Sequence, residues 1–211
     1  MAWNASDSTA PEIDVDGFWR AIRARHPPLR AALVADARMT ALHRGERHEF
    51  RSRTDTAGQI LRLAWVSDAF AAQALYRAKA RLQALGVPIL PRLAHRLAIA
   101  IAQVSIGDPV VIAPGLYIVH GQFVADGLVE IGPGAVIAPF VTIGLRAGDV
   151  QGATIDANVS LGTGAKVIGA VRIGVGAQVG ANAVVVDDVP AGATVSGAPA
   201  RPRPRTAARS A

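Results

Sequence analysis

The chain has 211 residues, half of them hydrophobic and only 5% aromatic, so it can bury one large core or two small ones built from Ala, Val, Ile and Leu. It has no cysteine, which excludes disulfides, thiolate catalysis and cysteine-ligated metal. The net charge of +6 is uneven, with 15 basic and 9 acidic residues in 1–105, 3 and 7 in 106–200, and four arginines without an acid in 201–211; without aromatics interleaved among the basic residues, no nucleic-acid partner is expected.

Residues 1–14 are polar and acidic, lacking the basic start and apolar run of a signal peptide. They are expected to be disordered. The apolar stretch Leu97–Val104 is too short to cross a bilayer, so no membrane partner is expected and a cytoplasmic location is inferred.

Residues 15–105 read as a helical domain. Apolar residues recur at helical spacing from Phe18 to Glu46, with Pro27–Pro28 dividing a short helix from a longer one. A single long helix is then expected, started by Thr54 or Asp55 and ended by Gly86 and Pro88. Leu61, Trp65, Ala69, Ala72, Tyr76 and Ala80 would line its apolar face. A further helix over Pro91–Val104 has proline at its start. His26, His43, His48 and His95 fall in this half and read as packed or solvated residues, because nothing pairs them with a ligand or nucleophile at fixed spacing.

From Ile106 the period becomes six. Ile106, Ile112, Ile118 and Val124 are six apart. After one extra residue the register resumes at Ile131, Ile137 and Ile143, then Ile155, Leu161, Val167, Ile173, Val179 and Val185, with Asp149 the only break. A sustained period of six is neither strand alternation nor helix. It is one short strand and one tight corner, repeated so that three units close a triangular coil and the aliphatic residues stack in ladders. A parallel β-helix of roughly five coils is expected over 106–200, with 201–211 a basic, flexible tail. The fold class is α+β, helices first and solenoid second.

These repeats, the helical half before them and the ending Val195-Ser196-Gly197-Ala198-Pro199-Ala200-Arg201 resemble the hexapeptide-repeat acyltransferases, most closely serine O-acetyltransferase. The resemblance implies a left-handed β-helix and a homotrimer or dimer of trimers. It also implies acetyl-CoA as co-substrate in the groove between subunits, and a part in cysteine biosynthesis. The family's histidine base maps onto His120, in Val119-His120-Gly121, just ahead of the expected phase slip between Val124 and Ile131. A slip forces a bulge, and bulges re-aim side chains near active sites. Imidazole, with a free pKa near about 6.5, is suited to take a proton from an attacking hydroxyl or amine at neutral pH.

The resemblance places the coenzyme against Gly144, Ala165, Lys166 and Ala183, with Arg201, backed by Arg203 and Arg205, meeting its 3′-phosphate. Four family positions that hold serine or orient the base are occupied here by Ser105, Val119, Gln151 and Gly152. With those charges gone, an altered acceptor site is expected. Asp126, Arg146 and Asp149 are its candidate contacts, and Asp126, Glu130 or a backbone carbonyl would have to fix the tautomer of His120. A second reading keeps the fold as a catalytically reduced scaffold or partner-binding protein. The family's partner sulfhydrylase binds a tail ending in isoleucine, whereas this chain ends Arg209-Ser210-Ala211. A metal enzyme of the carbonic anhydrase type would need several converging histidines, and the repeats contain only His120.

Overall fold

A computed structural model describes residues 14–203, with side chains to residue 200. Among the described residues, five helices precede a parallel β-solenoid. The expected disorder of the N-terminus falls, up to residue 13, outside the described residues, as does the tail from residue 204 and the side chain of Arg201.

Helix α1 (Val15–Arg25) starts where Asp14 accepts from the Gly17 amide at 2.7 Å, and it stops at His26, whose extended backbone precedes Pro27. Helix α2 (Leu29–His43) follows the two prolines. The single long helix expected next is two, α3 (Arg53–Val66) and α4 (Asp68–Ala84). Ser67 causes the break. Its backbone is extended, its amide closes α3 on the Leu63 carbonyl, and its hydroxyl accepts from the Phe70 amide to start α4. The start of α3 is capped by Ser52 rather than Thr54 or Asp55. The break also splits the expected apolar face. Ala69, Ala72, Tyr76 and Ala80 are buried, while Leu61 and Trp65 turn outward at 72% and 88% exposure. Helix α5 (Leu90–Ala102) ends with Gln103 in the left-handed region, and strand begins at Val104.

The solenoid has three faces. The first stacks β1 (Val104–Ile106), β4 (Phe123–Ala125), β7 (Thr142–Gly144), β10 (Lys166–Ile168) and β13 (Val184–Val185). The second stacks β2 (Val111–Ile112), β5 (Leu128–Ile131), β8 (Gln151–Ile155) and β11 (Arg172–Ile173). The third stacks β3 (Tyr117–Ile118), β6 (Val136–Ile137), β9 (Ser160–Leu161), β12 (Gln178–Val179) and β14 (Thr194–Ser196), closed by antiparallel β15 (Arg201–Arg203). All other pairings are parallel, so backbone bonds run from coil to coil and Ile112, Ile131, Ile155 and Ile173 form one buried ladder.

Two irregularities differ from or refine the sequence expectation. Ile106 stacks on Ala125, not on Val124, which is 40% exposed while Phe123 and Ala125 point inward. The extra residue therefore lies between Ile118 and Phe123, at His120 itself, and not after Val124. Ile131 stacks on Ile155 whereas Ile155 stacks on Ile173, so the turn containing residues 145–150 is longer by a loop.

Helix α4 closes the first coil. Coil carbonyls normally accept from the coil before, and the first coil has none. Lys79 instead donates to the Ile106 carbonyl, the Tyr76 hydroxyl to Val110, Arg77 to Ile112 and Ala113, and the Gln73 amide to Leu116. Asp36 of α2 completes the seal, pairing with Arg77 and accepting from the Gly115 and Leu116 amides. An open sheet end is a template for unwanted pairing. Here side chains satisfy it, each neutral bond contributing about 1 kcal/mol net.

Candidate active site

Between β3 and β4 the chain makes its tightest excursion. His120, Gly121 and Gln122 all have positive φ, at 64°, 103° and 55°. Left-handed backbone costs a non-glycine residue on the order of 1–3 kcal/mol and persists only where surroundings enforce it. The end of α5 enforces it. Gln122 donates its amide to the Ala102 carbonyl at 2.8 Å, and Gly121 donates to Val119 at 2.9 Å. Gly121 lies so close to α5 that a Cβ there would sit 2.3 Å from the Ala102 oxygen. The bulge thus presents the His120 imidazole to solvent from a backbone fixed on both sides. The ring makes no hydrogen bond or ion pair among the described residues.

The prism edge carrying His120 continues through the corners of later coils. One coil on, Phe140 has φ 63° and is exposed. Next, the Lys166 ammonium donates to the Phe140 carbonyl at 2.7 Å and to Gly164 at 3.1 Å. His120, Phe140 and Lys166 therefore share one edge, a basic group and an apolar ring lying beside the imidazole's track. Phe140 was not singled out from the sequence, although an aromatic among Ala, Val and Ile repeats was the available signal. The Ala102–Gly121 contact was not legible, because nothing in the period shows which helix residue meets the slip.

The other expected residues scatter. Ala165 and Ala183 place their methyl groups inside the solenoid, fully buried. Their carbonyls accept from Thr142 and Lys166 respectively. Their side chains belong to the core, because they sit two positions before Val167 and Val185 on the inward phase, which leaves their backbone as the part that could meet a coenzyme. Gly144 is half-buried on β7, and a Cβ there would meet only ordinary contacts, the nearest the Ile168 methyl at 3.5 Å. The chain's own packing does not require glycine at that position. Arg201 pairs through its backbone with Ser196.

Asp126, Arg146 and Asp149 lie along the opposite edge of the first face, beyond the far end of β4 and β7. Asp126 turns onto the Gly127 amide at 2.8 Å, and Asp149 onto the Gln151 amide at 2.8 Å. Arg146 lies along Gly169 and donates to the Val186 carbonyl at 2.6 Å. Glu130 pairs with Arg25 on the second face. Neither Asp126 nor Glu130 orients His120 within one chain, contrary to the sequence expectation, since a whole strand separates the two edges. Among the described residues no group of three or more metal-ligating side chains occurs, and no helix is long and apolar enough to cross a membrane.

A helix-capped hexapeptide solenoid with a solvent-facing imidazole at a phase slip has the architecture of a hexapeptide-repeat acyltransferase. No family model matches the chain. It is 37% identical over 119 residues to a serine acetyltransferase of Synechococcus elongatus, covering 54% of this chain and 48% of that protein. It is 39% identical over 116 residues to the Helicobacter pylori serine acetyltransferase, covering 53% of this chain and 67% of that one. The crystal structure of Neisseria gonorrhoeae serine acetyltransferase in complex with serine superposes with a TM-score of 0.70 at 25% identity, over 83% of this chain and 69% of that one. The chain belongs to the serine acetyltransferase family, and it spans about half the length of the cyanobacterial relative.

Proposed function

We propose that this protein is an acetyltransferase that moves the acetyl group of acetyl-CoA to a small hydroxyl or amine acceptor, with His120 as the general base. The observation that carries the reading is the imidazole held at the slip by the end of α5. His120 takes the acceptor's proton as its oxygen or nitrogen attacks the thioester carbonyl. The tetrahedral intermediate collapses, the carbon–sulfur bond breaks, and the imidazolium returns the proton to the leaving CoA thiolate. General base catalysis of this kind contributes about 10²–10⁴-fold.

Serine is the first acceptor to test, because it is the one in the relatives' name. The groups now at Ser105, Val119, Gln151 and Gly152 supply none of the charges expected at those positions. Each charge-assisted bond lost to a charged substrate costs about 1.5–3 kcal/mol, so a non-serine acceptor, or a weakly bound serine, is part of the proposal. Because the Arg146–Asp149 loop and His120 occupy opposite edges of one face, a homotrimer would bring the loop of one subunit to the base of the next. Gly144, Lys166 and Arg201 would then face the coenzyme from that groove.

The test is CoA-thiol release by the purified chain, given acetyl-CoA and a panel of serine, homoserine, amino sugars and simple alcohols. Acceptor-dependent release that His120→Ala abolishes supports the proposal. Release that His120→Ala leaves unchanged, or none with any acceptor, contradicts it.

A further inference from the structure

On the far side of the first coil from His120, α4, α5 and the corner after β1 enclose a cavity of about 320 Å³. Its walls include Lys79, Arg92, His95, Arg96 and Asp108. Arg92 and Arg96 are one turn apart on α5, exposed, and without a hydrogen bond or ion pair among the described residues. Lys79 is buried and held on the Ile106 carbonyl and Asp108. The first turn of α5 reaches the same cavity through Pro91 and Arg92. That turn starts at Ile89 with no capping side chain and contains no acid; the Leu90 amide is taken by the Pro88 carbonyl and Pro91 has none, so the Arg92 amide is the one this helix start leaves open.

The acids nearby do not cancel these charges. Asp108 is engaged by Lys79, and Asp126, behind Gly107, is turned onto the Gly127 amide. Two arginines therefore line one cavity with their side-chain donors unspent, beside an ammonium that is already bonded. Guanidinium pairs recognise tetrahedral oxyanions through paired, charge-assisted donors.

We propose that this cavity is a binding site for a phosphate-type oxyanion, with the Arg92 and Arg96 guanidinium groups as its ligands. The site takes either free phosphate or the phosphate of a nucleotide. This inference stands apart from the catalytic reading, since it concerns binding alone.

The experiment is thermal unfolding of the full chain against increasing inorganic phosphate, and separately against adenosine 3′,5′-bisphosphate, with chloride matching the ionic strength. A ligand that binds only the folded state raises the midpoint saturably. The Arg92→Gln/Arg96→Gln double variant should match the wild type without ligand, because neither side chain is bonded. A saturable rise with phosphate, reduced at least about tenfold in apparent affinity in the double variant, supports a free-phosphate site. The same pattern with the nucleotide alone supports a nucleotide phosphate site. No saturable rise with either, or a rise undiminished in the double variant, overturns the proposal.

Discussion

The inner coils and the first coil solve the same problem in different ways. From β4 to β12 each strand finds its partner in the backbone of the next coil, and aliphatic ladders fill the interior. The first coil has no coil before it, so α4 and α2 supply side chains as partners. A repeat spreads its stability over many equivalent contacts. The cap concentrates it in a few, and the same helical unit, through the end of α5, fixes the bulge that carries His120. Damage to the buried ion pair of the cap should therefore cost about as much as the loss of a core side chain in a coil, and damage to the cap should also reach the corner that carries His120.

The strongest break of this contrast is Arg77→Ala. The Arg77–Asp36 pair has side-chain exposures of 3% and 0%, and removing one partner of a buried pair costs about 3–5 kcal/mol. Chemical denaturation should show that loss. Leu161→Ala, in a middle coil and fully buried, removes ladder packing worth about 2–5 kcal/mol, but it should leave the rate of acetyl transfer per folded molecule unchanged. Tyr76→Phe deletes only the hydroxyl that donates to Val110. Leaving that buried carbonyl unpaired should cost about 1–3 kcal/mol.

The remaining effect is a pH dependence. Burial, then Arg77, Lys79 and Arg25, lower the pKa of His26 from 6.5 to about 4, and its buried Nδ1 has no partner. The unfolded chain binds this proton before the folded one does. Stability from keeping His26 neutral is thus present above about 6.5 and is lost as pH falls toward about 4. His26→Gln should flatten that part of the stability–pH curve, measured by urea midpoints at pH 7, 5.5 and 4.5.

The period of six made the solenoid, its inward phase and the lone His120 legible, because each repeat states its own register. It misplaced the slip, since Val124 fits the arithmetic of six as well as Ala125 fits the geometry. The same phase turns the Ala165 and Ala183 side chains into the core. The helices were read correctly as helices, but one serine was enough to break the long one, and a local cap competes with any periodicity. Tyr76 looked apolar because its hydroxyl meets a carbonyl more than thirty residues away in sequence, and no local pattern carries that contact. The oxyanion cavity was invisible for the same reason, its basic residues coming from two helices and a corner.

The central claim is that the corner held by α5 carries the catalytic base. Its most direct test is the pH dependence of kcat for CoA release with the best acceptor, in wild type and His120→Gln. The account predicts an acidic limb in the wild type, from protonation of the imidazole, and a fall of about 10²–10⁴-fold with loss of that limb in the variant. An unchanged rate and an unchanged pH profile in His120→Gln would contradict it.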